Sequence, residues 1–204
     1  MSIELKEYSL PDFEVFWNQN TEDNYCIWQP DNTYLILGQS NNIEKSLFID
    51  KVIEDNITVM KRPSGGETVI LTPNTLVVSA IYTDIELKNP RYYFTIFNDK
   101  IIKALNKVGI TNVTHKGISD LAIEDKKILG SSIYRKKDKV FYHSVLNVSE
   151  RIEVIEKYIR HPQREPDYRK GREHSEFVTS LIMHYPKLKM DNIINSLADV
   201  FKNS

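Results

Sequence analysis

The chain has 204 residues, of which 41% are hydrophobic and 27% are charged, and its formal net charge is -1. This length is enough for one domain with a buried core, and the balanced charge argues against a protein that coats nucleic acid or a membrane surface. A single cysteine rules out an internal disulfide and a cysteine-based zinc cluster, and since no apolar run approaches the roughly 18 residues of a membrane span, we expect a cytoplasmic protein.

Short strands and one helix are predicted for the first half of the chain. Residues 1–24 are polar and irregular, apart from Phe13 and residues 15–17, which could dock on the body of the protein. Strands are predicted at the β-branched and aromatic runs 25–28, 34–37, 57–60, 69–71 and 76–82. Apolar residues at helical spacing predict an amphipathic helix between the second and third strands. The side chains on its buried face are Leu47, Ile49, Val52 and Ile53.

A long helix is the clearest element of the second half. Its apolar residues are Tyr93, Ile96, Phe97, Ile101, Ile102, Leu105 and Val108, and Gly109 is predicted to end it. Strands are predicted at 113–115, 120–123, 128–134 and 140–148, with a charged turn at 135–138. A helix, a basic loop at 160–173 and two short helices complete the chain. This irregular alternation predicts an α+β fold with a mixed, mainly antiparallel sheet covered by helices.

The segment at residues 61–69 places small residues beside a cation. Gly65 and Gly66 leave backbone N–H groups free to point at an anion, and the hydroxyls of Ser64 and Thr68 add donors. Arg62 could add a bidentate clamp on phosphate or carboxylate. A plain hairpin turn explains the same residues equally well. The segment matches neither a Walker phosphate loop nor a dinucleotide fingerprint.

Lys127 lies between a predicted strand and the small pair Gly130-Ser131. Apolar neighbours on its C-terminal side indicate that its ammonium lies at a site, although a surface position is commoner for a single lysine. Asp120 comes shortly before it. A carboxylate there could hold a divalent metal or orient a ligand amine, or it could simply begin a strand.

Four further features of the sequence also need interpretation. His143, in an apolar strand, is either a hydrogen-bonded structural residue, which is commoner, or a base. The pair Asn41-Asn42 is interpreted as helix-capping chemistry. Cys26 lies in a predicted core strand without a histidine nearby, so an inert thiol is favoured over a nucleophile. The basic loop could be a flap over an anionic ligand, a dock for an acidic partner or a solvated loop.

A set of motifs occurs in a fixed order between residues 25 and 148. They are a glycine turn at 38–42, Lys-Arg-Pro-Ser-Gly-Gly-Glu-Thr-Val at 61–69, Asp120-Leu121, Lys-Ile-Leu-Gly-Ser at 127–131, and His143. In order and spacing they resemble the motifs of the lipoate-protein ligase A family, within the biotin/lipoate A/B protein ligase superfamily. Glu67 stands where the family motif has its third glycine.

The resemblance implies the catalytic-domain fold of that superfamily and a two-step reaction. Lipoate and ATP would form lipoyl-adenylate, and the lipoyl group would pass to a lysine of an apo lipoyl domain, on a dehydrogenase E2 subunit or the glycine-cleavage H protein. Lys127 would be catalytic, and Asp120 would hold Mg²⁺. The implied lipoate- and adenylate-binding residues are Asn42, Arg62, Ser64, Gly65, Gly66, Glu67, Thr68, Val69, Ile70, Lys127, Gly130, Ser131 and His143.

The resemblance also implies a domain organisation and two alternatives. Residues 1–204 would form a single catalytic domain, with a core at 25–148 and a helical tail with the basic loop at 149–204. This is expected to be a short form without the C-terminal accessory domain, which could be a separate subunit, and the family's N-terminal helix is not recognisable. One alternative is an octanoyl or lipoyl transferase that needs no ATP. Its relatives use a cysteine after the lysine strand, and Cys26 precedes it. The other is a non-catalytic module that binds lipoyl domains.

Overall fold

The computed structural model describes residues 3–17, 25–83, 86 and 88–203, and within them the chain forms ten strands and eight helices. In chain order these are β1 (Leu5–Glu7), α1 (Pro11–Trp17), β2 (Tyr25–Trp28), β3 (Tyr34–Leu37), α2 (Ile43–Ser46), α3 (Ile49–Glu54), β4 (Thr58–Lys61), β5 (Val69–Leu71), β6 (Thr75–Thr83), α4 (Pro90–Lys107), β7 (Val113–Lys116), β8 (Asp120–Ile123), β9 (Lys126–Lys136), β10 (Lys139–Asn147), α5 (Ile152–Tyr158), α6 (His174–Phe177), α7 (Leu181–His184) and α8 (Met190–Lys202).

The strands form two sheets. A four-stranded sheet has the order β1-β4-β3-β5, in which β4 runs parallel to both neighbours and β5 is antiparallel to β3. A six-stranded sheet has the order β2-β6-β10-β9-β8-β7 and is antiparallel throughout. The predicted α+β class with mixed, mainly antiparallel pairing is confirmed. Sequential hairpins explain four of the six strands of the second sheet, since β7 to β10 follow one another with short turns.

Helices α4 and α8 cover the six-stranded sheet. The Asn89 side chain caps α4 by accepting from the Arg91 N–H, and Pro90 begins the helix with a preset φ. The buried apolar residues of the two helices are Tyr93, Phe94, Phe97, Ile101, Ala104, Leu105, Ile193, Leu197, Val200 and Phe201. Each large side chain among them contributes about 1.5–3 kcal/mol by leaving water. Among the described residues, no helix has both the length and the apolar composition that a membrane crossing requires.

The N-terminal segment is the first correction to the sequence-based prediction. Residues predicted to be irregular form β1 and α1, because β1 gains hydrogen-bond partners by pairing with β4. Tyr8 and Leu10 are buried in a cluster against which Phe13 packs, as predicted for Phe13. The predicted docking of residues 15–17 concerns side chains that lie outside the described part of the structure. Residues 18–24 also lie outside it.

Three further predictions were wrong in detail. The helix predicted around residues 47–53 is divided into α2 and α3, because Leu47 leaves the helix to bridge Ile159 in the C-terminal segment. Three helices follow the basic loop where two short ones were predicted, and the last of them has 13 residues. The charged hairpin between β9 and β10 narrows to a two-residue turn, with Lys137 at φ 55°. A contact distant in sequence decided the first outcome.

Candidate functional site

A cavity of about 830 Å³ opens between the two sheets and the C-terminal segment. Its apolar walls include Ile36, Leu71, Val77 and Val145, and residues 159–169 form one side of it. This volume is within the range of small-molecule sites. The predicted site residues that line the cavity are Arg62, Gly66, Glu67, Thr68, Val69, Ile70, Asp120, Lys127, Gly130, Ser131 and His143. Motifs separated by up to 80 residues therefore meet at one place.

The glycine loop at residues 62–68 lies directly on the turn that follows β3. The Gln39 N–H donates to the Ser64 carbonyl at 2.9 Å, and the Gly38 N–H donates to Asn41 Oδ1 at 2.9 Å. A Cβ at Gly38 would lie 1.9 Å from the Gly66 carbonyl oxygen, so only glycine fits. Gly66 itself has φ +89°, which other residues rarely adopt. The two turns thus support each other through backbone contacts.

Arg62 is the internal support of this loop. Its side chain is buried and donates to the carbonyls of Ile36, Gly65 and Glu67 at 2.8–3.0 Å, and to Ser64 Oγ at 3.1 Å. Burial lowers the pKa of the guanidinium to about 10, so it remains charged at neutral pH. The predicted bidentate clamp on a ligand is not what the structure shows. Three of its N–H groups already donate within the loop and a fourth donates to Ile36 of β3, which leaves one donor for anything else.

Asn41 and Asn42 have different roles in the structure. Asn42 is exposed and caps α2 by accepting from the Glu44 N–H at 3.0 Å, and it does not line the cavity. Its capping role is confirmed, whereas its predicted binding role receives no support from this position. Asn41 is the residue that reaches the glycine loop. Its side chain donates to Glu67 Oε2 at 3.2 Å and accepts from Thr68 Oγ1 at 3.2 Å. The Glu67 carboxylate is therefore held by an amide at the edge of the cavity.

Lys127 is aimed into the cavity by a β-bulge. Ala122 pairs with Lys127 but Leu121 pairs with Leu129, so Ile128 is an extra residue in β9. An extra residue brings positions 127 and 130 to one face of the strand. A Cβ at Gly130 would lie 2.7 Å from Lys127 Nζ, so glycine makes the space in which the ammonium lies. A small residue was predicted to matter at position 130, and the reason is that glycine leaves room for the Lys127 ammonium.

Asp120 is the charge partner of Lys127. Its Oδ1 lies 2.9 Å from Lys127 Nζ, and its Oδ2 accepts from the Tyr168 hydroxyl at 2.9 Å. No group of three His, Cys, Asp or Glu side chains suited to a metal occurs in the described part of the chain. Mg²⁺ sites use one or two carboxylates with phosphate oxygens. Since both Asp120 oxygens are engaged and an ammonium lies beside one of them, Asp120 fits an orienting role better than that of a resident Mg²⁺ ligand.

His143 belongs to a buried polar network beneath the glycine loop. Its Nε2 lies 2.6 Å from Ser64 Oγ, and its Nδ1 lies 3.8 Å from Oδ2 of Asp12. Asp12 is fully buried and also accepts from the hydroxyls of Tyr8 and Ser79. Burial lowers the pKa of His143, so the imidazole is neutral at neutral pH. Ser64 is buried and faces the histidine, so it supports the loop from below.

Two residues of this site were missed by the sequence-based prediction. Asp12 comes from the segment predicted to be irregular, and no local pattern marks it. Tyr168 comes from the basic loop, whose unusual composition was noted without singling out the tyrosine. Cys26 is half-buried in β2, and burial raises the pKa of its thiol to about 11, which fits the inert interpretation.

Comparison with known proteins identifies similar chains. The family model of the lipoyl protein ligase A/B catalytic domain matches residues 5–202. A probable lipoate-protein ligase A of Mycoplasma pneumoniae is 29% identical over 65% of this chain and 38% of its own length. Lipoate–protein ligase 1 of Staphylococcus aureus is 24% identical over 78% of this chain and 46% of its own length. The chain thus spans less than half the length of these two relatives.

Solved structures share the fold. A bi-partite lipoate protein ligase from Thermoplasma acidophilum, described together with its E2 lipoyl domain, has a TM-score of 0.79 at 16% identity, over 100% of this chain and 83% of the other. A lipoate-protein ligase A bound with ATP has a TM-score of 0.77 at 16% identity, over 100% and 85%. At this identity the likeness is one of fold.

Proposed function

Because the chain belongs to the lipoyl protein ligase A/B catalytic domain family, we propose that it is an ATP-dependent lipoate–protein ligase. It forms lipoyl-adenylate from lipoate and ATP, and transfers the lipoyl group to a lysine of an apo lipoyl domain. One observation carries the proposal: the Lys127 ammonium lies at the wall of an apolar cavity that the glycine loop also lines. Similar structures are described as bound with ATP and with lipoic acid.

Lys127 is the proposed catalytic residue in the first step. Its ammonium holds the lipoate carboxylate against the α-phosphate of ATP. A carboxylate oxygen bonds to the α-phosphorus, and pyrophosphate leaves with the electrons of the broken P–O bond. Throughout this step, negative charge is present on the oxygens bonded to the carboxyl carbon and to the α-phosphorus. A fixed cation in a site with little water stabilises such charge without reorganisation.

The glycine loop is the proposed cradle for the adenylate. Gly66 and Thr68 line the cavity, and their backbone N–H groups are the proposed donors to the anion, while Arg62 binds the carbonyls of Gly65 and Glu67. Glu67 adds a negative charge at this place, which its hydrogen bond from Asn41 and the nearby Arg62 cation partly offset. Mg²⁺ would enter as part of the nucleotide substrate, since Asp120 is committed to Lys127 and Tyr168.

The second step requires the acceptor lysine to reach the acyl carbon. Its neutral amine attacks that carbon, AMP leaves with the electrons of the acyl–oxygen bond, and the nitrogen releases one proton to water as the amide forms. The apolar walls hold the acyl chain so that the carbonyl stays near Lys127. Acceptors are proposed to be lipoyl domains of E2 subunits or the glycine-cleavage H protein, and the use of ATP supports a cytoplasmic location. We also propose residues 1–204 as one catalytic domain, with the segment after residue 148 closing the site.

The proposal is tested with purified protein, an apo lipoyl domain, lipoate and Mg–ATP, by following the acceptor mass. We expect modification that requires both lipoate and ATP. Modification only from an octanoylated carrier, without ATP, would instead establish a transferase. Binding of the acceptor without any modification would establish the non-catalytic module. If the protein uses synthetic lipoyl-adenylate but not lipoate with ATP, activation belongs to a separate accessory subunit.

The cysteine-dependent route has its own control in the same assay. Cys26→Ser is expected to retain the wild-type rate within about twofold, because a half-buried thiol with a raised pKa forms little thiolate. Loss of acceptor modification in this variant, with an unchanged melting temperature, would contradict the adenylate mechanism.

Gly130→Ala is expected to lower the acylation rate by about tenfold or more. The new Cβ would lie 2.7 Å from Lys127 Nζ and 2.8 Å from its Cε, so the ammonium must leave its position. Because these atoms are the flexible end of a side chain, we expect little change in the melting temperature. Steady-state kinetics and thermal unfolding of the same preparation measure both. A variant with wild-type kcat would show that the ammonium's position is unimportant.

A further inference from the structure

The C-terminal segment contacts the lysine strand through its backbone. The Thr179 N–H donates to the Lys127 carbonyl at 2.9 Å, and Val178 forms a parallel bridge with Lys127. Just before this bridge, the Phe177 ring lies against the Tyr168 ring with centroids 5.0 Å apart. The guanidinium of Arg169 lies 4.8 Å from the centroid of the same phenylalanine. Tyr168 is therefore held on a platform that is itself joined to the Lys127 backbone.

The Tyr168 hydroxyl reaches the charge partner of Lys127. It donates to Asp120 Oδ2 at 2.9 Å, while Asp120 Oδ1 faces Lys127 Nζ at 2.9 Å. Burial, and then the charge of Asp120, raise the pKa of Tyr168, so the hydroxyl keeps its proton and acts as the donor. The Asp120 side chain is only 7% exposed, so solvent offers it little replacement for this donor. One carboxylate thus links the C-terminal segment to the lysine.

The side chains around Asp120 decide how its carboxylate is oriented. The terminal torsion of an aspartate is broad and roughly two-fold, so a carboxylate with a single partner turns easily. The backbone before Asp120 is held by Ser131, whose N–H and hydroxyl both donate to the Ser119 carbonyl, at 3.1 and 2.6 Å. The Ser119 hydroxyl also donates to Asp120 Oδ1, at 3.4 Å, which is long for a hydrogen bond between two oxygens. With the backbone fixed, the shorter contact from the Tyr168 hydroxyl to Oδ2 is the one that selects the rotation in which Oδ1 faces the ammonium.

We propose that Tyr168 is a positioning residue for Lys127, acting through the Asp120 carboxylate. This inference rests on the proposed function, because it presumes that the Lys127 ammonium acts on the acyl and phosphoryl groups. It gives the C-terminal segment a specific task in the reaction. The segment closes the cavity, and its tyrosine also sets where the catalytic cation lies.

Tyr168→Phe tests this inference, because phenylalanine keeps the ring on Phe177 and removes only the hydroxyl. We expect kcat to fall about tenfold, the change that loss of a hydrogen bond to a charged group brings, with KM for lipoate and ATP within about twofold. We also expect an amine-reactive reagent to label Lys127 several times faster, with labelling of Lys126 as the internal reference. Unchanged kcat and unchanged Lys127 labelling would overturn the inference.

Tyr158→Phe is the matched control. Its hydroxyl donates to Asp55 Oδ2 at 2.7 Å, and the same oxygen pairs with Lys157 at 2.6 Å, so the chain contains a second tyrosine–aspartate–lysine group. Tyr158 does not line the cavity. This variant should keep wild-type kinetics and Lys127 labelling. An equal loss in both variants would show a general effect of removing a tyrosine hydroxyl, and would overturn the assignment to Tyr168.

A double-mutant cycle with Asp120→Asn separates action through Asp120 from a direct effect. If Tyr168 acts through the carboxylate, adding Tyr168→Phe to Asp120→Asn should cause no further loss of kcat. Losses that multiply would overturn the inference.

Lys127→Met distinguishes a failure of the proposed catalytic role of Lys127 from a failure of the positioning role of Tyr168. Full activity in that variant refutes the proposed role of Lys127, whereas an inactive Lys127→Met beside a fully active Tyr168→Phe refutes the positioning role alone.

Discussion

Replacing Lys127 with methionine is expected to lower the rate of acceptor lipoylation by about 10²–10³-fold, the usual cost of removing one fixed electrostatic contact to a transition state. Methionine is similar in length, so the bulged strand and the space over Gly130 remain filled. The Lys127 side chain is 30% exposed, so water screens its ion pair with Asp120. The pair therefore stabilises the protein about as much as an exposed ion pair does. We expect a loss of unfolding free energy of about 1 kcal/mol.

The two half-reactions locate this effect. Formation of lipoyl-adenylate is measured by pyrophosphate release without acceptor, and transfer is measured from synthetic lipoyl-adenylate. We expect the first to fall most, because the ammonium is proposed to hold the carboxylate during attack on the α-phosphorus. Lys126→Met is the matched control, since Lys126 is an exposed neighbour on the same strand and lies outside the cavity lining. Equal activity of the two variants would refute the catalytic assignment.

Gly38→Ala is expected to destabilise the protein by about 3 kcal/mol and to abolish binding of the adenylate. A Cβ at this position would lie 1.9 Å from the Gly66 carbonyl oxygen and 3.0 Å from its carbon. Both are backbone atoms, so no change of rotamer relieves the overlap, and overpacking in such a place costs about 1–3 kcal/mol or somewhat more. The two turns must separate, which also removes the hydrogen bond between Gln39 and Ser64.

Urea unfolding and ligand binding check this prediction together. The unfolding midpoint of Gly38→Ala should fall, and binding of a non-hydrolysable lipoyl-adenylate analogue should be lost in calorimetry. Gly65→Ala is the stability control in the neighbouring loop, because a Cβ there would meet no atom within 4 Å. That variant should unfold at the wild-type urea concentration. If Gly38→Ala unfolds there too, the close contact between the turns does not exist in solution.

The elements that were predicted best are those in which the pattern of apolar residues along one segment of the chain indicates which side chains are buried. Strand β8 was predicted at its observed bounds, and α4 was predicted from apolar residues at helical spacing. The motif residues also met as expected, since most of them line one cavity. These are features for which local pattern and residue chemistry are sufficient.

The incorrect predictions share a different property. Strand β1 exists because β4 offers it hydrogen-bond partners, and the break at Leu47 exists because Ile159 pairs with it. The role of Arg62 changed for the same reason: its fork of donors finds three carbonyls inside the protein before it can meet a ligand. Most of these partners are distant in sequence, whereas Gly65 and Glu67 are brought to Arg62 by the conformation of the glycine loop.

By itself, the sequence determined the fold class, the family and most of the predicted site residues that line the cavity, because periodicity, glycine placement and motif order are properties of short segments. The tertiary structure decided what each of those side chains does. It placed Asp12 beneath His143, turned Asn41 and not Asn42 toward the loop, and joined Tyr168 to Lys127 through Asp120. These roles depend on distances between residues far apart in the chain, and such distances are set only when the sheets and the C-terminal segment pack together.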